Sequence, residues 1–538
     1  MSLLHRVVLP ALAVLGLAFL IACGGNSKNS VPPPSGGFSN TDFNGTYTFS
    51  TAGTDSSGAV LEIAGTITAC GCSAGTISAG TVDIVPDIGT GVAVTASASH
   101  YSVNTNGTGT ISLNFGSSAP EYQFVFSLTD AAHGVISEYD ENGTGSGTID
   151  LQPSSVTPGT SYAFSVSGTD TGGIPVSAAG GFTLNSSGAI TTGLVDFNYQ
   201  NYAQLSGYAG PWALTGSISV GTGTSPGAAT LSSTFGSFGF DVYAIDATHL
   251  KLVESDGRAY MAGDVFSQPS ATMPAATLTF SVSGATGISS SNPAGTAPFA
   301  AAGTVTSDGT ANLTSGSEDV NNAGTIDNGG STPTPYSFTG TFLAQPSGNT
   351  NGRFLLSLSN FQLGGTNFAA YPSSGGILIV EIDTGISGGT TAGSALTQNS
   401  PAGLVASQGY AMNLSGASSS GELDQIAQFN TTSSSASGQL YLNNFGVSNP
   451  SSNSFTGTIT AGSNGAGEFI FNNKTEGAFY YGVDSATSLA LGIDTTDVSL
   501  GVFEQQGSPS STADVAARHL AMIKAAIRAR AAKKKKLQ

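Results

Sequence analysis

Charge is what this sequence has least of. Asp, Glu, Lys and Arg make up 9% of its 538 residues, against about 25% in an ordinary globular protein. Cations are the scarcer sign, with 14 Lys and Arg against 33 Asp and Glu. Eight of the 14 follow residue 517 and one, Arg6, precedes Cys23. The stretch from 23 to 505 therefore holds five basic and 32 acidic residues, a net charge of about −27. Such a surface repels phosphate backbones, which argues against nucleic-acid binding by the body. Intrinsic disorder goes with high charge and few aromatics, and with aromatics at 8% the chain has neither trait. Phosphate-loop, dinucleotide-binding, HExxH and RNA-binding signatures are missing. Gly223-Thr-Ser225-Pro-Gly227 matches G-x-S-x-G only in spelling, because it lies between two strands and not on a strand-to-helix elbow. Cysteine is limited to three residues. Cys70-Gly-Cys72 has no partner but Cys23, too few to complete a metal site, and it is either a local disulfide or two free thiols. No catalytic residue, metal centre or cofactor is expected.

What is present begins at the N-terminus. Arg6 precedes an apolar run from Val7 to Leu20, too short to span a bilayer and of signal-peptide length. Then comes Leu20-Ile21-Ala22-Cys23. This resembles the lipobox of bacterial lipoproteins, in residues 1 to about 25 only. The resemblance implies that Cys23 takes a diacylglyceryl group, that cleavage falls before it, and that the cysteine becomes an acylated N-terminus. Gly24 in place of Asp resembles lipoproteins passed to the outer membrane. Residues 23–40, rich in Gly and Ser with Pro32-Pro33-Pro34, read as a tether.

The body is one unit written four times. A start signal recurs as Tyr47-Thr-Phe49-Ser50-Thr-Ala-Gly53, Tyr162-Ala-Phe164-Ser165-Val-Ser-Gly168, Leu278-Thr-Phe280-Ser281-Val-Ser-Gly284 and Tyr410-Ala-Met412-Asn413-Leu-Ser-Gly416. Each copy closes on glutamine, at Gln152, Gln268, Gln398 and Gln505. Between these lie Ile77-Ser-Ala-Gly80-Thr-Val-Asp83, Ile190-Thr-Thr-Gly193-Leu-Val-Asp196 and Leu313-Thr-Ser-Gly316-Ser-Glu-Asp319. The predicted organisation is 1–22 signal peptide, 23–40 tether, repeats at 41–152, 156–268, 274–398 and 402–505, and a tail at 506–538. A period above 100 residues suits a small domain that buries its own core.

In the second copy, strands are predicted over 161–169, 174–185, 189–199, 211–220, 227–235, 238–245, 249–256 and 259–268, separated by turn-forming residues. Tyr162, Phe164 and Val166 share one face and Ala163, Ser165 and Ser167 the other. The predicted class is all-β, about eight antiparallel strands per repeat. An up-and-down barrel is favoured and a sandwich is the alternative. Neutral, hydroxyl-rich faces are expected to meet water.

Glu138-Tyr-Asp140, Glu254-Ser-Asp256 and Glu381-Ile-Asp383 recur at strand ends, with Gly492-Ile-Asp494 in the fourth copy. Turn chemistry is the leading reading. Glu138, Asp140 and Asn142 loosely echo the alternating oxygens of a calcium loop, without its closing Glu. His133 and His249 end "DAAH" and "DATH", also read as turns, and Trp212 is expected to pack within a strand. Ser511 to Asp514 can cap a basic helix running into the C-terminus. The functional expectation is a lipid-anchored envelope protein, held at the outer membrane and facing periplasm or exterior, with a non-enzymatic binding, adhesion or spacer role. Its partners would be the membrane, through the lipid, and a polysaccharide or an anionic envelope polymer. The alternatives are a polysaccharide hydrolase and a carrier of small apolar ligands in barrel lumens.

Overall fold

The first strand of every repeat pairs on one side with the second strand and on the other with the last. These first strands are Asn44–Asp55, Ser161–Asp170, Ala275–Thr286 and Gly409–Ser418. The last strands are Gly143–Leu151, Ala259–Ser267, Thr390–Thr397 and Asp497–Gln505. First-to-last pairing is what curls a meander into a barrel. This computed structural model describes residues 37–507, apart from 118, 200–209, 287–296, 328–333, 349, 363–365, 384–389, 419–420, 445–449 and 472–475. The signal peptide, Cys23, most of the tether and the tail beyond 507 lie outside the described residues.

The fold is all-β and every strand pairing is antiparallel. Repeat 4 closes as an eight-stranded barrel. Repeat 3 closes too, through pairing of Ala297–Asp308 with Asn312–Asn322 and of the latter with Tyr336–Ala344. Repeats 1 and 2 are nine-stranded sheets that curl without complete closure. The reason is local. The strand predicted at 211–220 is split into Trp212–Ala213, which pairs with Ile190–Tyr199, and Thr215–Ser219, which pairs with Gly227–Ser232. A strand broken between its two neighbours leaves the rim only bridged, here by Ala189 against Ser217 and in repeat 1 by Thr76 against His100. The other seven strands of repeat 2 fall within a few residues of their predicted bounds.

Each repeat has its own lumen core. Phe43, Tyr47, Phe49 and Phe126 belong to that of repeat 1, and Tyr162, Phe164 and Val166 to that of repeat 2. Met412, Phe429, Phe469 and Phe503 help fill repeat 4. The opposite face of the first strands is buried as well, which the sequence did not announce. Ala163 and Phe266 pack on Tyr371, Leu378 and Val380 of repeat 3. Ala300, Ala302 and Leu396 of repeat 3 and Val125 and Val135 of repeat 1 share a cluster with Ala411, Ile426 and Leu489 of repeat 4. Ala64 and Val85 of repeat 1 meet Tyr243 and Val253 of repeat 2. The repeats thus touch in the cycle 1–2–3–4–1. Small side chains suit this second burial, because alanine, serine and glycine let two sheets approach closely. Ser165 and Ser167, expected in water, are only 3% and 4% exposed.

Glycine serves the curl at one recurring place. Gly147, Gly263, Gly393 and Gly501 occupy the same position of the four last strands. A Cβ there would strike the backbone carbonyl of Ser50, Ser165, Ser281 or Asn413 on the paired first strand.

Candidate functional site: the seams between repeats

Five residues after each of those glycines stands a glutamine, and this spacing defines the seams. Gln152 Nε2 donates to Ala244 O at 2.6 Å, Gln268 Nε2 to Pro372 O at 2.9 Å, and Gln398 Nε2 to Gly482 O at 2.8 Å. In the fourth repeat the residue is Gln506, whose Nε2 donates to Leu128 O at 2.7 Å and Asn106 O at 2.9 Å. Each glutamine therefore hooks the next repeat in the cycle, and the last hooks the first. The backbone N–H of each also returns to the start of its own first strand, at Thr46, Ser161, Thr277 and Gly409. The closing glutamine read at Gln505 is one position short. Doubled glutamines hid the register that the Gly-x4-Gln spacing would have disclosed.

The recurring aspartate at the end of the third-strand motif also points across a seam. Asp83 lies beside Tyr243 and Asp241 of repeat 2. Asp196 accepts from Arg353 Nε at 2.6 Å and Nη2 at 2.9 Å, and from the Tyr371 hydroxyl, all on repeat 3. Asp319 accepts from the Tyr481 hydroxyl of repeat 4. Three of four seams thus set an aspartate against a tyrosine that immediately precedes the hooked carbonyl. Arg353 is 2% exposed and Asp196 is fully buried. Burial pushes the Asp196 carboxyl up, while Arg353 and Tyr371 oppose that push. The two-pronged contact holds the guanidinium charged.

The fourth seam, where repeat 4 meets repeat 1, is built differently. Tyr441 stands where the other repeats have aspartate, and its ring meets Tyr139 edge-on with centroids 5.8 Å apart. Here His133 bridges two carboxylates, with Nδ1 2.7 Å from Asp150 Oδ1 and Nε2 3.0 Å from Glu504 Oε2. Burial alone would lower the imidazole pKa, but Glu504 and Asp150 outweigh it and hold it up near 10. With both ring nitrogens donating, no lone pair remains for general-base chemistry. Thr144 Oγ1 donates to Asp424 Oδ2 at 2.8 Å, and Ser146 Oγ to Asn413 Oδ1 at 3.0 Å. Asn443 Nδ2 donates to Gly143 O at 2.9 Å.

His249 is buried too, its Nε2 2.6 Å from Asp264 Oδ1. Lys251 Nζ lies 3.4 Å from the same oxygen. The histidine backbones do end turns, since Asp130 Oδ1 accepts from His133 N and Asp246 Oδ1 from His249 N. Their rings have a second task that turn composition does not reveal.

The Glu-x-Asp pairs split their work. Asp140 accepts the backbone N–H of Gln123 and of Asn142, and Asp256 those of Gly239 and Arg258. Asp383 does the same for Thr366 and Asn367. The preceding glutamates turn inward. Glu138 is fully buried and its pKa is raised well above the ordinary value, by burial first and then by Asp140 and Asp424. Glu254 and Glu381 are pushed up to about 8, again chiefly by burial. Of the calcium candidates, Glu138 is inside, Asp140 is occupied by N–H groups, and Asn142 Nδ2 donates to Glu121 O at 2.9 Å. No group of three or more metal-ligating side chains occurs among the described residues.

Cys70 and Cys72 form a disulfide. It lies where the turn after the second strand begins, with Tyr101 nearby. The G-x-S-x-G look-alike is a turn whose Thr224 carbonyl accepts from Thr66 Oγ1 of repeat 1 at 2.7 Å. Trp212 is half-buried against Phe197 and Phe235. The one large apolar side chain in the open among the described residues is Leu343. Of the three described Lys and Arg side chains, Arg258 alone is exposed.

No family model matches the chain, and neither does any curated protein. Among solved structures it is similar to the vaccine antigen transferrin binding protein B from Haemophilus parasuis Hp5, in a tryptophan-to-alanine mutant. That match has 7% identity and a TM-score of 0.16, covering 72% of this chain and 86% of the other. A likeness so loose carries no argument about function.

Proposed function

We propose that this is a lipid-anchored cell-envelope protein whose four repeats form a rigid, non-enzymatic head, acting as a spacer or as a binding surface carried off the membrane by the tether. The observation that carries the reading is where the reactive side chains go. The Asp83, Asp196 and Asp319 series, His133 and the closing glutamines are all spent on fastening one repeat to the next. Four sheets fastened in a cycle make a stiff body, which suits reach and presentation. The lipobox-like Leu20 to Cys23 and the Gly/Ser/Pro tether supply the attachment. A disulfide in the body accords with an oxidising export compartment. The acidic exterior favours a neutral, hydroxyl-bearing partner such as a polysaccharide over an anionic polymer, which would have to meet the basic tail.

The test is metabolic labelling with a fatty acid, followed by fractionation. The wild type takes up label and sediments with membranes. Cys23→Ala takes up none and leaves the membrane fraction. Label retained by Cys23→Ala would overturn the anchor, and with it the reading.

A further inference from the structure

The lumens are not equally filled. The lumen of repeat 3 holds a partly open cavity of about 50 Å³, large enough for more than one water molecule. Repeat 2 has about 10 Å³. The repeat 3 cavity is lined by apolar side chains alone, among them Met273, Leu278, Phe280, Val305, Phe361 and Ala395.

Comparison of equivalent positions explains the space. Repeats 1, 2 and 4 begin their first strand with a buried tyrosine whose hydroxyl is anchored. Tyr47 donates to Ala131 O at 2.6 Å, Tyr162 to Ala247 O at 2.8 Å, and Tyr410 accepts Val405 N at 2.8 Å. Repeat 3 has Leu278 there. The cross-strand partners of the tyrosines are Ile67, Phe182 and Phe429, whereas Leu278 faces Val305. Two residues further on, the first strand meets Ile149, Val265 or Phe503 on the last strand, but Ala395 in repeat 3. Three adjacent lumen positions are thus smaller in this repeat alone. A packing accident at one position would be taken up by its neighbours, since an empty hole costs stability in proportion to its volume. Here the neighbours shrink together.

We propose that the lumen of repeat 3 is a binding site for one small, uncharged, apolar molecule, of the size of a monocyclic aromatic or a short branched hydrocarbon. Apolar cavities accept such ligands because the guest restores dispersion contacts that the empty walls lack. A polar group on the guest would find no partner there and would be rejected. Phe361 is placed to cover the ligand. It is half-buried, sits between the strands Phe354–Ser359 and Asn367–Ser373, and meets Phe338 edge-on at 5.2 Å.

The experiment uses the full chain carrying Cys23→Ser, so that no detergent or lipid competes, titrated with benzene in a calorimeter. Expected is saturable binding of one benzene per chain. Leu278→Tyr, which restores the residue of the other three repeats, and Ala395→Ile, which restores that of repeat 1, should each weaken it at least tenfold with the β circular dichroism spectrum unchanged. Phenol should bind at least tenfold more weakly than benzene. Should Leu278→Tyr fail to fold, Ala395→Ile decides. Absence of saturable binding by the parent chain, or full affinity in the folded cavity-filling variants, would overturn the proposal. The lipid anchor plays no part in either result, so this outcome is separate from the labelling test.

Discussion

The seam between repeats 2 and 3 and the seam between repeats 4 and 1 solve one problem by different chemistry. Repeats 2 and 3 are consecutive in the chain, and a short connection already holds them near one another. Their seam centres on one buried ion pair, the Arg353–Asp196–Tyr371 contact, with the Gln268 hook and the Ser267–Ser374 hydrogen bond beside it. Repeats 4 and 1 are brought together with no such connection, from opposite ends of the described chain. Their seam spreads the task over His133, Thr144, Ser146, Asn443 and Gln506, each of which needs the correct register to find its partner. Many modest directional bonds specify one docking geometry more sharply than one ion pair does, because a slipped register leaves several buried polar groups unmet.

The comparison breaks most readily at Arg353. Arg353→Met should leave the Asp196 carboxylate buried without its cation and destabilise the protein by about 3–5 kcal/mol, the usual result of removing one partner of a buried pair. Adding Asp196→Leu should recover most of that loss. Urea unfolding of the single and double variants checks both points. A single variant as stable as the parent would show that the pair does not fasten the seam.

The next effect is expected at the closing seam and depends on pH. His133 has its pKa raised to about 10 in the folded protein, from an ordinary value near 6.5. Its stabilisation is complete below the ordinary value and is lost as pH climbs towards 10. Buried acids act in the same direction over a lower range. Asp83, Asp327 and Asp497 are raised to about 7, and Glu254, Glu318 and Glu381 to about 8, burial being the main cause in each. The folded state holds these protons where the unfolded chain has released them, so stability should fall from about pH 4 to pH 8. Melting temperature should therefore be highest in mild acid. His133→Gln should be destabilised by about 2 kcal/mol at pH 6, and the difference should shrink by pH 10. A melting temperature that rises between pH 5 and 8 would contradict the buried-acid account.

The smallest effect sharpens the register. Gln506→Ala should cost about 1–2 kcal/mol by leaving the Leu128 and Asn106 carbonyls without their donor. Gln505→Ala, one residue earlier, should cost less, since its side chain reaches Gln408 within its own repeat. Equal losses in the two variants, measured by denaturant midpoint, would mean that the Gly-x4-Gln spacing does not mark the hook.

Strand positions in repeat 2 were legible because alternation and turn residues act locally. The Tyr162, Phe164, Val166 face is in the lumen, as its period of two requires. The same alternation could not say that Ala163, Ser165 and Ser167 are buried too, since a small or hydroxyl-bearing face is equally suited to water and to a close-packed sheet. His133 was legible as a turn residue through Asp130, yet Glu504, its partner across the seam, lies 371 residues further on. The carboxylates were legible as pairs, but whether each meets water, backbone or another repeat depends on what lies opposite.

The sequence by itself therefore determined the all-β class, the fourfold repetition, most strand positions in the second repeat and the acidic balance of the body. These follow from periodicity, turn composition and charge, which are properties of neighbouring residues and of simple counting. Only the tertiary structure decided which barrels close, because closure depends on whether one strand stays continuous between two partners. It also decided that the repeats dock in a cycle, that recurring Gln, Asp and Tyr residues fasten the seams, and that the third lumen is left open. Each of these depends on side chains a hundred or more residues apart meeting in space, or on the summed volume of walls drawn from several strands.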